Sequence, residues 1–164
     1  MSHVLIDDGL CAASWRSRPG DFVSLMTLYE SNYIRLRSLA GNVFAAPDRQ
    51  VSECAGDSPL HLRVIERSPY TVTLTMTYEF VEQNATVFNP DLQLRVYRDA
   101  RLAEALRCSQ WRRHVVLGQW HSRLTRSRVR NIDARWQRNM MLNKWLEYCF
   151  DRGHRFAPHA AATS

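Results

Sequence analysis

Lysine is nearly missing from this chain. Of 22 basic residues, Lys144 is the sole lysine, and every other one is arginine. A GC-rich genome would produce this bias as readily as selection for bidentate phosphate binding. The position of the arginines is therefore informative, and their identity is not. Long apolar runs are missing too: nothing approaches the ~18 consecutive apolar residues of a membrane span. Near the N-terminus, MSHVLIDDGLCAAS carries Asp7 and Asp8 where a signal peptide would be apolar. Residues 1–19 read as a loosely ordered arm, and the chain as cytoplasmic. The four cysteines, Cys11, Cys54, Cys108 and Cys149, are far apart with no C-x-x-C pair. That spacing speaks against a zinc ribbon and a dithiol redox motif. A disulfide framework is not expected without export, and Cys149, set in an apolar run, reads as a small core hydrophobe.

The six glycines are scattered singly, so there is neither a phosphate-cradling loop nor a G-x-S-x-G elbow. The six histidines form no H-x-H and no H-E-x-x-H. His114 and His121 are seven residues apart, which puts them on opposite faces of a strand. No metal site and no cofactor are expected from these patterns.

At 164 residues the chain fits one domain. Asp21 reads as a helix N-cap. Apolar residues at Phe22, Leu25, Met26, Tyr29, Tyr33 and Leu36 make a helical stripe that ends at Gly41. Residues 42–58 read as a polar loop. Residues 60–66 alternate as a strand, and residues 70–82 do so almost perfectly. In the latter, Tyr70, Val72, Leu74, Met76, Tyr78 and Phe80 lie on one face and threonines on the other, the pattern of a half-buried antiparallel strand. A loop over 83–90 leads to a third strand over 92–98. Residues 99–108 have helical composition but also suit the return arm of a hairpin turning at Asp99 and Ala100. Residues 114–120 suggest a short strand, and 121–132 an exposed loop. Residues 133–152 form a helix, apolar nearly all round and hence largely buried, stopped by Gly153. The expected fold is α+β: an antiparallel sheet of about four strands, with an N-terminal and a C-terminal helix on one face. The domain spans 20–155, and a disordered tail covers 156–164.

Three ordered motifs, LYESNYIRL, PDLQLRVYRDARLAEAL and NKWLEYCFDRGH, resemble the YqiB-like family, small bacterial proteins classed as a domain of unknown function. The Y-x-D-A-x-x-A-E portion falls on Tyr97, Asp99, Ala100, Ala103 and Glu104. The resemblance implies a cytoplasmic home and favours a strand after Glu104. It implies no activity. Where family members tend to carry a Y-D-Y-P-N-like segment, this chain has Gln119-Trp120-His121-Ser122-Arg123.

The most charge-biased stretch is WRRHVVLGQWHSRLTRSRVR, residues 111–130, with six arginines and no acid. Residues 107–138 carry net +8 and the remainder net −2. Such a local field attracts polyanions. Arg112, Arg113, Arg123, Arg126, Arg128 and Arg130 are candidate phosphate contacts, and Trp120 is a candidate stacking platform. A solvated basic face is the plainer alternative, and an acidic protein partner is another. Tyr29, Tyr97, Asp99 and Glu104 combine phenols with carboxylates, a set suited to proton transfer but equally to arginine pairing. Asn32 and Asn143 sit inside apolar helices and, if buried, must be hydrogen-bonded, either lining a pocket or tying helix to strand. The combined expectation is a non-enzymatic binding or adaptor domain that engages RNA or another phosphate-rich polymer. The alternatives are a protein-interaction module and a small enzyme.

Overall fold

The computed structural model describes residues 22–109, 118–119 and 134–156. In chain order these form helix α1 (Phe22–Ala40), strands β1 (Arg49–Ser52), β2 (Leu60–Arg67), β3 (Thr71–Glu82), β4 (Ala85–Tyr97) and β5 (Leu102–Ser109), and helix α2 (Ala134–Asp151). The five strands make an antiparallel meander in sequence order. The fold is α+β, as expected.

Period-two alternation decides which face of the sheet is wet. Leu60 and Leu62 of β2, Val72, Leu74, Met76 and Tyr78 of β3, and Leu92, Leu94 and Val96 of β4 are all buried. They share one core with Leu36 and Leu39 of α1 and with Met141, Leu142, Trp145, Leu146 and Cys149 of α2. Each such leucine contributes roughly 1.5–3 kcal/mol by leaving water. Both helices therefore cover one face, and the opposite face carries threonines, arginines and His61.

The helices differ in how well their buried side could be read. α2 is buried nearly all round, with Trp136, Met141, Leu142, Trp145, Leu146 and Cys149 inside. The buried stripe of α1 runs through Leu28, Asn32, Arg35, Leu36 and Leu39, whereas Phe22 is 74% exposed. The true stripe is thus rotated from the apolar one, because Asn32 takes a core position by hydrogen bonding. Gly41 ends α1 in the left-handed region, φ 66°, and donates its N–H to the Arg37 carbonyl at 2.8 Å.

Three expected boundaries shift. The loop over 83–90 contracts to a two-residue turn, Gln83 and Asn84 with φ 48° and 66°, and Glu82 pairs Ala85. Two left-handed residues give the twist a tight hairpin requires. The register shifts between Met76 and Tyr78, opposite the stretch containing Pro90, whose missing N–H cannot join a ladder. Within the expected loop 42–58, β1 pairs with β2. Its inward residues, Gln50 and Ser52, are polar and give no apolar alternation. Phe156, expected in the tail, is buried, and its N–H donates to the Leu39 carbonyl at 3.0 Å. Residues 99–108 resolve as the hairpin arm: Asp99 and Ala100 lie in the turn, and β5 pairs with β4. The expected strand over 114–120 falls mostly outside the described residues. The two that are described, Gly118 and Gln119, are helical, an ambiguity inherent in short apolar runs. The Asp21 cap, the arm over 1–19 and the loop over 121–132 also lie outside the described residues. No described helix is long and apolar enough to cross a membrane.

Candidate functional site

The open sheet face holds an unusual neighbour pair. Arg49 of β1 stands directly opposite Arg63 of β2 in the antiparallel register. Both are exposed, and neither makes an ion pair with an acid among the described residues. Like charges directly opposed across a sheet are destabilising. Two acids on the same face are engaged elsewhere. Glu79 accepts from His61 Nε2 at 2.6 Å, and Asp91 accepts from Arg107 at 2.7 Å. Arg95 Nε donates to Thr73 Oγ1 at 3.2 Å. The arginine pair borders a groove of about 590 Å³ that is also lined by His61, Thr75, Thr77 and Phe88. Phe88 is half-exposed and packs edge-on against the His61 ring at 5.4 Å. Two guanidinium forks, two hydroxyls and an aromatic ring in one groove can hold a phosphate and stack a base.

The seven residues expected to bind a polyanion, Arg112, Arg113, Trp120, Arg123, Arg126, Arg128 and Arg130, lie outside the described residues. Of the family-motif candidates, Tyr29, Tyr97 and Glu104 come together. The Tyr97 hydroxyl donates to Glu104 Oε1 at 2.5 Å, and the Tyr29 hydroxyl lies against the same carboxylate. Burial first, and then the Glu104 charge, push the Tyr29 phenol up to about 12, against a smaller opposing pull from Arg135. Burial and the bond to Glu104 raise Tyr97 as well. Phenols raised in this way are poor bases at neutral pH. Asp99 does not join them; it is exposed in the β4–β5 turn.

Asn32 ties α1 to β5, whereas Asn143 ties α2 to α1. Asn143 Nδ2 donates to Asn32 Oδ1 at 3.1 Å and to Ser31 Oγ at 2.9 Å. Asn32 Nδ2 reaches the Ala103 carbonyl at 3.3 Å and Asn139 Oδ1 at 3.3 Å. Asn139 Oδ1 accepts the Ala105 N–H at 2.8 Å. Ala103 and Ala105 belong to β5, the last described strand of the sheet. The Asn32 and Asn139 side chains thus occupy backbone groups on the outer edge of β5 and, among the described residues, cap that edge.

A second polar cluster was not legible in the sequence. The β1–β2 loop brings Cys54 and Asp57 to His154, which follows α2. Cys54 Sγ lies 3.4 Å from His154 Nε2, and Asp57 Oδ2 lies 3.0 Å from the same nitrogen. Tyr78 donates to Asp57 Oδ2 at 3.0 Å, and His154 Nδ1 faces Ser52 Oγ at 3.1 Å. Cys54 and Asp57 are three positions apart, but His154 lies about a hundred positions further along the chain, so no local spacing announces the set. The one available signal was the pair of lone glycines, Gly56 and Gly153, each with φ above zero and each beside a cluster member.

A family model described as a protein of unknown function, DUF1249, matches residues 35–155. The chain belongs to the DUF1249 family. The match takes in the whole sheet and α2 but begins inside α1, so Tyr29 and Asn32 precede it. Arg49, Arg63, Cys54, Asp57 and His154 all fall within the DUF1249 span. No curated protein and no solved structure matches the chain.

Proposed function

We propose that this DUF1249 chain is a non-enzymatic binding domain that engages a phosphate-bearing polymer, RNA in the first instance, across the open face of its sheet. The observation that carries this reading is the Arg49–Arg63 pair: two cross-strand cations that make no ion pair with a described acid, set in a groove with hydroxyl donors and Phe88. A dianionic or polymeric phosphate between the two forks relieves their repulsion and satisfies their donors together. The overall charge of +6 supports the same reading, as does the arginine-dense segment 111–130, which would extend the contact. A cytoplasmic location and a unit spanning 20–155 belong to this proposal, as does the narrower likeness to YqiB-like proteins.

The test is fluorescence anisotropy of labelled single-stranded RNA across a salt series. It compares wild type, Arg49→Ser/Arg63→Ser, and Arg123→Ser/Arg126→Ser/Arg128→Ser/Arg130→Ser. Each phosphate contact on a single strand adds about 0.7 to the slope of log K against log salt. Loss of both groove arginines should therefore flatten the slope by about 1.4. No binding by wild type at low salt overturns the reading and turns the search to an acidic protein partner. Binding lost solely in the second variant moves the site to 111–130.

A further inference from the structure

We propose that Cys54, Asp57 and His154 form a three-ligand site for a divalent transition metal of the zinc class. The residues are unrelated to the arginine groove, so the two readings stand or fall separately.

The ligand atoms already converge: one sulfur, one carboxylate oxygen and one imidazole nitrogen lie within 4.8 Å of one another. Around a tetrahedral zinc, with bonds of about 2.3 Å to sulfur and about 2.0–2.1 Å to nitrogen or oxygen, neighbouring donors sit roughly 3.4–3.6 Å apart. The observed separations of 3.4 Å (Sγ to Nε2) and 3.0 Å (Nε2 to Oδ2) require the donors to open by a few tenths of an ångström. This set of one soft, one intermediate and one hard ligand suits zinc better than calcium or magnesium. It leaves a fourth position for water or an external ligand.

The surroundings orient the ligands. The His154 ring is fully buried, and Ser52 Oγ, which also accepts the Arg155 N–H at 3.0 Å, faces Nδ1. With Nδ1–H donating to Ser52, the Nε2 lone pair points at the cluster, the arrangement that fixes a metal-binding histidine. The Tyr78 hydroxyl holds Asp57. Gly153, at φ 100°, lets the chain leave α2 and turn back so that His154 N–H caps the Cys149 carbonyl at 3.1 Å. Cys54 is half-buried, which gives an ion a way in.

The same geometry argues against a cysteine nucleophile. Cys54 and Asp57 both face Nε2, so the carboxylate cannot orient the ring from the far nitrogen as a triad requires. Burial, and then the Asp57 charge, raise the Cys54 thiol, with Arg152 pulling the other way; an activated nucleophile needs the reverse. Metal binding would displace the thiol proton to solvent, so affinity rises with pH. The Arg152 guanidinium, 3.8 Å from Asp57, competes for the carboxylate, and Arg152→Gln should tighten binding.

The experiment is titration of the intact protein with Co(II), read by absorbance. The expected result is saturation at one ion per chain with a thiolate-to-cobalt charge-transfer band, reversed by Zn(II). The band should be lost in Cys54→Ser and kept in Cys108→Ser, whose sulfur lies outside the cluster. In the unsubstituted protein, Zn(II) should slow alkylation of Cys54 by at least about ten-fold, read on its own peptide by mass spectrometry. This second readout stands even if Cys54→Ser misfolds. Absence of the band in folded wild type, its persistence in Cys54→Ser, or alkylation of Cys54 unchanged by Zn(II) overturns the proposal.

Discussion

Asn139→Ala should be among the most damaging single substitutions in α2. The Asn139 side chain is fully buried, and its Oδ1 accepts the Ala105 N–H at 2.8 Å and an Asn32 amide proton at 3.3 Å. Truncation leaves the Ala105 N–H, at the outer edge of β5, without its acceptor and shut away from water. An orphaned buried donor costs about 1–3 kcal/mol. Asn32 keeps its bond to the Ala103 carbonyl at 3.3 Å, so its loss is smaller, and the vacated volume adds a modest cavity cost. The total is about 2–4 kcal/mol, which corresponds to a fall in Tm of roughly 5–15 °C for a chain of this size. Urea denaturation followed by tryptophan fluorescence reads the stability, with Trp145 in the core as reporter. Native-state hydrogen exchange reads the Ala105 amide. A loss below about 0.5 kcal/mol, or an Ala105 amide that exchanges freely in wild type, would refute the claim that the asparagine pair closes the sheet edge.

Other expectations follow from single features. Relieving the cross-strand repulsion with Arg63→Thr should stabilise the free protein by up to about 1 kcal/mol while weakening RNA binding; a destabilised Arg63→Thr in thermal melts would count against that repulsion. Gln83 occupies a left-handed position, φ 48°, that glutamine adopts at a cost, so Gln83→Gly should raise stability by roughly 0.5–1 kcal/mol in chemical denaturation. The raised Tyr29 phenol works through its neutral form. Its contribution is complete below the ordinary tyrosine value near 10 and is lost as pH rises towards about 12. Alkaline unfolding should therefore steepen across that window and flatten in Tyr29→Phe, and identical profiles would count against the cluster.

What could be read in advance follows from the physics of each element. β3 was legible because Thr71 to Phe80 alternate without interruption, with the threonines on the face away from the helices. β1 was not, because four residues with Gln50 and Ser52 inward carry no apolar period. The β5 segment looks helical in composition. Its Ala103 and Ala105 are small because the two helices pack over them, a tertiary reason that propensity does not contain. Asn32 does tie helix to strand, Asn143 instead ties helix to helix, and the second tie to the strand, Asn139, was overlooked. Of the carboxylates near Tyr29 and Tyr97, Glu104 joined the phenols and Asp99 did not, because the turn carries Asp99 away from the sheet. The charge-biased segment drew attention to 111–130, whereas Arg49 and Arg63 are fourteen residues apart and become neighbours solely through the β1–β2 register. Cys54, Asp57 and His154 meet for a similar reason, through a short edge strand and a helix end.

The most direct test of the proposed binding face is a titration of isotope-labelled protein with a short single-stranded RNA, followed by amide chemical shifts at low salt. The account predicts saturable shifts concentrated at residues 49–51, 61–63, 75–77 and 88, with the outer surface of α1 unmoved. Saturable shifts confined to the helical side of the molecule, or none at all, would contradict it.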